Sequence, residues 1–164
     1  MSIAIMNGLA TPPKPFAQLV DRRITEVTEN DLAGVDRIGT RAFNACSSLK
    51  YVILPASVVT IYNEAFGNCT ALTKMVMLRN KTVDLNNTNV FTGTTNCRFY
   101  VYNPDTVRTA NNWSNLATRI FPLVDAVADL SNIDTTAYTR ACVMGTDKSY
   151  KIYTYDGSQW NEVT

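Results

Sequence analysis

Few residues of this sequence have the types and spacing that could do chemistry. The chain contains no histidine, which removes the commonest general base and the commonest zinc ligand. Glycoside hydrolysis needs two carboxylates that face each other across a cleft. The candidate carboxylates are Glu26, Glu29, Asp31, Asp36 and Glu64. Because we expect these positions to be solvated, we predict no catalytic residue and no enzymatic activity.

The four cysteines are the other reactive side chains, and their spacing indicates buried thiols. Cys46, Cys69, Cys97 and Cys142 include no C-x-x-C pair, so neither a zinc site nor a redox motif is predicted. The sequence also lacks the glycine-rich motifs that bind nucleotides. We therefore expect no metal and no cofactor, and we expect thiols in a reducing compartment.

Composition describes an ordinary globular chain without the charge of a nucleic-acid-binding protein. Of the 164 residues, 46 % are hydrophobic and 18 % are charged, and the formal net charge is +1. Such a chain can bury one core, whereas nucleic-acid binders usually carry a basic surplus. The N-terminal residues lack the basic region and continuous apolar run of a secretory signal, and no apolar run is long enough to span a bilayer. We predict no nucleic-acid partner and no membrane span, and we expect the chain to stay in a cytoplasm or to leave it without an N-terminal signal.

The clearest pattern is a repeat at a shift of 23 residues. Residues 38–54 read IGTRAFNACSSLKYVIL, and residues 61–78 read IYNEAFGNCTALTKMVML. Seven apolar pairs match at this shift: Ile38 with Ile61, Ala42 with Ala65, Phe43 with Phe66, Cys46 with Cys69, Leu49 with Leu72, Val52 with Met75, and Leu54 with Met77. A period in this range, with apolar residues at this spacing, is typical of a leucine-rich solenoid.

A solenoid coil has an apolar interior that it cannot bury alone, so coils must stack. The predicted repeat core consists of Ile38, Phe43, Cys46, Leu49, Ile61, Phe66, Cys69 and Leu72. Stacking would bring Cys46 and Cys69 to about one strand spacing, roughly 4.8 Å, which is close to the Cα range of a disulfide. Since a buried thiol also satisfies the packing, the state of this pair stays open. The fold class is mainly β with short helices: a short leucine-rich-repeat solenoid, plus the ends described below.

Residues 38–61 carry the pattern I-G-x-x-A-F-x-x-C-x-x-L-x-x-V-x-L-P-x-S-V-x-x-I. This pattern resembles the BspA-like leucine-rich repeat family. The resemblance covers about residues 24–123 and implies an incomplete first coil at residues 24–37.

The resemblance also assigns residues 90–123 to the closing unit of the family. In that unit a strand ends in proline, and a short helix with an Asn-Trp-Ser sequence leads to an Ile-x-Pro exit. Trp113 and Ile120 would then form a helical C-terminal cap, since the end of a solenoid exposes an apolar cross-section. Asn103 replaces the usual apolar residue before the proline, and the helix is about one turn shorter than usual, so the cap geometry departs from the family pattern.

Two segments flank the predicted solenoid of residues 24–123. Residues 1–23 contain three prolines in TPPKPF, which predicts an extended arm packed on its own solenoid or on a neighbour. Residues 124–164 are predicted to form a linker and a small antiparallel β-meander, because apolar and polar residues alternate around the turn sequences GTDK and DGS. The predicted strands are 139–145, 149–155 and 159–163. A sheet this small is marginal alone, so we expect it to dock on something.

The strands at residues 49–54 and 72–77 turn alternate residues outward. The candidate interaction surface consists of Lys50, Tyr51, Ile53, Thr73, Lys74 and Val76. Its ladder of Tyr51, Ile53 and Val76 is more apolar than a solvated face requires, and apolar patches of this kind mark interfaces. Two occupants stay open: a partner protein, or the chain's own arm or C-terminal sheet.

The function is therefore expected to lie in the surface. The first hypothesis is a non-enzymatic protein-interaction module that serves as a structural or accessory component of a bacteriophage virion, in the capsid or tail, assembled in the bacterial cytoplasm. Its partners would be virion proteins, with a host-surface protein or glycan as a further contact. The missing secretion signal and the flanking segments favour it, and the resemblance implies that such repeats occur in surface proteins of gut and oral bacteria and their phages. The alternative is a bacterial cell-surface adhesin. A homo-oligomer fits either hypothesis, and a third hypothesis, an enzyme acting on host glycans, lacks an acidic cleft in the sequence.

Overall fold

The computed structural model describes residues 21–145 and 149–163. Most of the predicted N-terminal arm, residues 1–20, lies outside the described residues, as does the centre of the GTDK turn. The described part of the chain runs from the first coil of the solenoid to the last C-terminal strand.

The described strands form two sheets. Those of the larger sheet are β1 (Glu26–Val27), β3 (Tyr51–Leu54), β5 (Lys74–Met77), β7 (Arg98–Val101), β8 (Ile120–Val124), β9 (Arg140–Met144), β10 (Tyr150–Tyr155) and β11 (Trp160–Val163). Those of the smaller sheet are β2 (Arg37–Ile38), β4 (Thr60–Ile61) and β6 (Asp84–Leu85). The larger sheet has the order β1-β3-β5-β7-β8-β9-β10-β11 and the smaller has the order β2-β4-β6. All neighbours are parallel except β9, β10 and β11, which form an antiparallel meander.

The helices of the described chain are short and lie near its C-terminal half. Helix α1 spans Pro104–Thr109, and two 3-10 helices span Ser114–Arg119 and Val127–Asn132. Proline suits the start of α1 because its missing N–H would have no partner inside the helix. The predicted class, mostly strands with a few short helices, is confirmed, and so are the antiparallel C-terminal strands.

The strand register aligns the residues that the sequence repeat aligned. Tyr51 pairs with Lys74 across β3 and β5, and Arg37 pairs with Thr60 across β2 and β4. Each of these coils therefore contributes one strand to each sheet, and the apolar core lies between the two sheets. All eight residues of the predicted repeat core are buried there.

Aromatic rings form a continuous ladder through this core. Phe43 stacks on Phe66 with ring centroids 5.0 Å apart, and Phe66 stacks on Phe91 at 5.7 Å. Phe91 and Phe99 then meet Trp113 at the C-terminal end of the core, with Phe99 and Trp113 edge to face at 5.3 Å. Such aromatic contacts add about 0.5–1.5 kcal/mol each beyond the burial of their area, so the ladder helps to hold the coils in register.

The turns between the two sheets depend on left-handed residues. The N–H of Ala45 donates to the carbonyl of Gly67 at 2.8 Å, and the N–H of Asn68 donates to that of Thr92 at 2.7 Å. Ala45 and Asn68 have φ angles of 60° and 56°, and Gly93, at the same place in the next coil, has a φ of 74°. The left-handed region therefore recurs at this place in successive coils although the residue type changes from alanine to asparagine to glycine.

The cysteines are buried free thiols. Cys69 donates its Sγ hydrogen to the carbonyl of Phe43 at 3.1 Å, and burial raises its pKa to about 12. In the next coil Thr94 takes the place of the cysteine. Its Oγ1 accepts the Cys69 N–H at 3.0 Å and donates to the carbonyl of Phe66 at 2.6 Å. The stacked positions of Cys69 and Thr94 therefore both keep a side-chain hydrogen bond to a backbone carbonyl, although the residue type changes.

Side chains terminate the smaller sheet where no further coil follows. Trp113 is fully buried, and its Nε1–H donates to the carbonyl of Val83 at 2.7 Å. Asn112 Nδ2 donates to the carbonyl of Leu85 at 2.6 Å. These donors supply the edge strand β6 with bonds that backbone N–H groups of another coil would otherwise give. Ile120, the second residue expected in the cap, is also fully buried.

The C-terminal meander continues the solenoid sheet. Leu123 of β8 pairs with Cys142 of β9 in parallel, and β10 and β11 follow as antiparallel neighbours. The three strands fall within one residue of the predicted boundaries. The segment expected to be a linker contains the 3-10 helix Val127–Asn132, whose Leu130 packs on one face of the meander.

Candidate interaction surface

The outer face of the larger sheet begins with a polar row at the starts of its strands. Glu26, Tyr51, Lys74 and Arg98 are neighbours in this row. The hydroxyl of Tyr51 donates to Glu26 Oε2 at 2.6 Å, and Lys74 Nζ lies 5.2 Å from the centroid of the Tyr51 ring. The hydrogen bond to the Glu26 carboxylate raises the pKa of Tyr51 to about 12. The side chains of this row are exposed or partly exposed, and Glu26, Tyr51 and Lys74 contact one another.

The next row of the same face is apolar and buried. Ile53 and Val76 are only 7 % and 0 % exposed, and Tyr100 is also buried. They form one cluster with Leu123 and Cys142. Partly buried residues of the meander that pack against this cluster are Met144, Tyr150 and Ile152.

The meander reaches these residues because the sheet curls over its own outer face. In a flat sheet, β10 would lie six strand spacings from β1, about 29 Å. Burial raises the pKa of Tyr150 on β10 to about 12, and the charge of Glu29, just after β1, adds to the increase. Burial also raises the pKa of Cys142 on β9, which the charge of Lys74 opposes. Met144, Tyr150 and Ile152 pack against the cluster that contains Ile53 and Val76, so the C-terminal strands share one apolar cluster with this face of the solenoid.

The six residues of the predicted surface consequently divide into two groups. Lys50 and Thr73 are exposed, and Tyr51 and Lys74 are partly exposed. Ile53 and Val76 are buried, in a cluster against which residues of the meander pack. Of the occupants left open by the sequence, the C-terminal sheet contributes residues that pack against this cluster, and most of the N-terminal arm lies outside the described residues.

A concave feature of the described residues lies where the solenoid meets the C-terminal segment. It is a groove of about 470 Å³. Its apolar walls include Pro104, Pro122, Leu123 and Ile133. Sequence reasoning did not find it, because its residues come from α1, β8 and the segment after β8, which only folding brings together.

Four aspartates line this groove, and tyrosines hold two of them. The hydroxyl of Tyr102 donates to Asp125 Oδ1 at 2.7 Å, and the hydroxyl of Tyr138 donates to Asp105 Oδ1 at 2.5 Å. Burial and the neighbouring carboxylate raise the pKa of Tyr138 to about 12, and the same two causes raise that of Tyr102. Both phenols therefore remain protonated donors at neutral pH.

Backbone groups orient the other two aspartates. Asp129 Oδ2 accepts the N–H of Ala126 at 3.1 Å, and Asp134 Oδ1 accepts the N–H of Thr136 at 2.9 Å. Hydrogen bonds from Thr136 lower the pKa of Asp134. The groove thus presents carboxylates that hydrogen bonds hold in position, and such carboxylates can bind a cationic group.

The described residues offer no obvious centre for metal or thiol chemistry. Within residues 21–145 and 149–163, no group of three or more His, Cys, Asp or Glu side chains is arranged to hold a metal ion. The pKa values of the four buried thiols are raised, chiefly by burial, whereas a thiol nucleophile needs a lowered pKa and access. In the same residues, no helix has the length and apolar character needed to cross a bilayer.

Comparison with known proteins supplies the family. A sequence model of the BspA type leucine rich repeat region, in six copies, matches residues 21–141. The match extends beyond residue 123, where the resemblance seen in the sequence ended. Neither the curated proteins nor the solved structures contain a match to this chain. Since the matched region covers most of the 164 residues, the chain belongs to the BspA type leucine rich repeat family.

Proposed function

We propose that this chain is a non-enzymatic protein-interaction module that acts as a structural or accessory component of a bacteriophage virion. The scaffold of this module is the predicted solenoid, with a 23-residue period and a helical closing unit. It places the chain in the capsid or tail, assembled in the bacterial cytoplasm, with virion proteins as its partners and a host-surface protein or glycan as a further contact.

The observation that carries the interaction role is the groove between the solenoid and the C-terminal segment. Its volume of about 470 Å³ falls in the range of sites that bind ligands. Its walls combine apolar side chains with carboxylates that hydrogen bonds orient. Because these polar groups are already fixed, the site loses little conformational entropy when a partner binds.

The family supports the same role, because leucine-rich solenoids present extended surfaces for binding other molecules. The composition of the groove argues against acid–base catalysis by its tyrosines, since their pKa values are raised well above neutral pH. Virion placement rests on the sequence, because the segments that flank the solenoid suit anchoring in an assembly.

Site-specific photocrosslinking in the organism that encodes the chain tests the interaction role. Asn132, which is exposed and lines the groove, is replaced by p-benzoylphenylalanine, and exposed Ser47 on a solenoid turn is replaced in the control. The proposal expects one defined protein to be captured at position 132 and not at position 47. Equal capture at both positions, or none at either, would contradict it.

Immunogold labelling tests the location, with a bacterial cell-surface adhesin as the second candidate. The family membership favours that candidate as much as the first. Label on purified phage particles would support the virion assignment. Label on intact bacterial cells and none on particles would overturn that assignment and establish the adhesin.

A further inference from the structure

We propose that the groove binds a lysine- or arginine-bearing segment of a partner protein. This inference rests on the proposed function and deepens it by naming the chemical class of the partner. Its basis is the combination of a ligand-sized concave volume, walls that suit the stem of a long cationic side chain, and four carboxylates among the lining residues.

Charge selects the class of partner. The groove is lined by Asp105, Asp125, Asp129 and Asp134, and among the described residues that line it there is no lysine or arginine. Complementary potentials favour association and steer encounter, while like charges brought together cost several kcal/mol. The groove therefore favours a basic segment and rejects acidic peptides and nucleic acid.

The walls fit the remainder of such a side chain. Lysine and arginine bury their methylene stems on apolar surface and keep the charged head among polar groups. Tyr102, Tyr138 and two prolines supply that surface beside the carboxylates. The ring of Tyr138 already accepts a cation on one side, since the guanidinium carbon of Arg108 lies 4.2 Å from its centroid.

The carboxylates are held in place and retain binding capacity. Asp105 and Asp125 each accept a tyrosine hydroxyl through Oδ1. Within the described part of the chain, no other hydrogen bond or ion pair engages these two side chains. Oδ2 of each carboxylate is therefore placed to accept a hydrogen bond from an ammonium or guanidinium group.

The test uses the full chain and three capped heptapeptides that differ only at three positions, which carry lysine, acetyl-lysine or glutamate. Binding is followed by two-dimensional ¹H–¹⁵N NMR at low salt. The double variant Asp105→Asn with Asp125→Asn keeps an oxygen that accepts the tyrosine hydroxyl but removes two charges. The control double variant, Asp36→Asn with Asp84→Asn, changes the net charge equally at exposed sites in and beside the smaller sheet.

We expect the lysine peptide alone to shift amides of residues 102–105 and 122–134. Two exposed charge pairs contribute about 0.5 kcal/mol each, so the groove variant should weaken binding about fivefold, and the control should change it less than twofold. Equal weakening in both variants, equal binding of the acetyl-lysine peptide, or shifts outside the groove would overturn the proposal. Calcium chloride producing the same shifts at lower concentration would reassign the groove to a metal ion.

Photocrosslinking and the peptide test can fail separately. If position 132 captures one defined protein but the lysine peptide does not bind, the interaction role stands and the basic class of partner is wrong.

Discussion

Replacing Ala45 by glycine should stabilise the protein, although glycine usually destabilises. Ala45 is exposed and has a φ of 60°. In the left-handed region, contact between Cβ and the backbone costs about 1–2 kcal/mol, whereas the added freedom of glycine in the unfolded chain costs about 0.5–1 kcal/mol. The difference predicts a gain of about 0.5–1 kcal/mol in the free energy of unfolding for Ala45→Gly.

The reverse substitution at the same place in the third coil should do the opposite. Gly93 has a φ of 74°, and a Cβ there would lie 2.3 Å from Oδ1 of Asn68 and 3.4 Å from its Cα. The Asn68 side chain would have to turn away, and the backbone would keep its strain. We expect Gly93→Ala to lower the free energy of unfolding by about 1–2 kcal/mol.

Urea unfolding followed by circular dichroism at 25 °C measures both effects, and melting temperatures should shift by about 2–4 °C per kcal/mol for a chain of this size. Ala56→Gly is the matched control, because Ala56 is exposed and lies outside the left-handed region. It should lose about 0.5–1 kcal/mol. If Ala45→Gly loses as much as Ala56→Gly, the argument from left-handed strain is wrong.

Three further predictions test the end of the solenoid, the buried thiols and the covered face. Trp113→Phe should lower the free energy of unfolding by about 1–3 kcal/mol, because it leaves the carbonyl of Val83 without its buried donor. A free energy of unfolding, measured in urea, that stays within about 0.5 kcal/mol of wild type would contradict this. The free energy of unfolding should be constant between about pH 6 and pH 8 and fall above about pH 9, because the Cys69 thiol ionises near pH 8.5 when unfolded and its pKa is raised to about 12 when folded. Urea unfolding at several pH values checks the slope, and a flat profile from about pH 8 to pH 11 would count against it. Val76→Asp should destabilise the fold by about 3 kcal/mol or more, because it buries an unpaired charge. The control Lys50→Asp, at an exposed position, should change the free energy of unfolding by less than about 0.5 kcal/mol. Equal melting temperatures for the two variants would mean that the meander does not cover Val76.

The repeat made much of the fold predictable from the sequence. A coil with apolar residues at fixed spacing has to stack on its neighbour. The stacking of Phe43 on Phe66 and of Cys46 on Cys69 therefore follows from the residues that match at a shift of 23. The C-terminal strands were predictable because alternation and Asp-Gly turns are local signals. The place of Trp113 at the end of the core followed from the resemblance to the family's closing unit.

The candidate site was much less predictable. Ile53 and Val76 are outward-facing by the pleat, and the sequence could not decide between a partner and the chain's own C-terminal sheet. The groove gave no signal, since Asp105 and Asp134 are distant in the chain and belong to no motif. The left-handed conformation of Ala45 is equally invisible in the sequence, because alanine rarely adopts it and the residue type gives no signal for it.

The sequence by itself determined what is local or periodic: the coil, the residues that fill it, the turns and strands that follow, and the lack of histidine chemistry. Tertiary structure alone decided what depends on curvature. Folding brings Met144, Tyr150 and Ile152 of the meander against the cluster that contains Ile53 and Val76, and it brings four aspartates to the groove beside α1. Twist and curl accumulate over many strands, so no short stretch of sequence contains them.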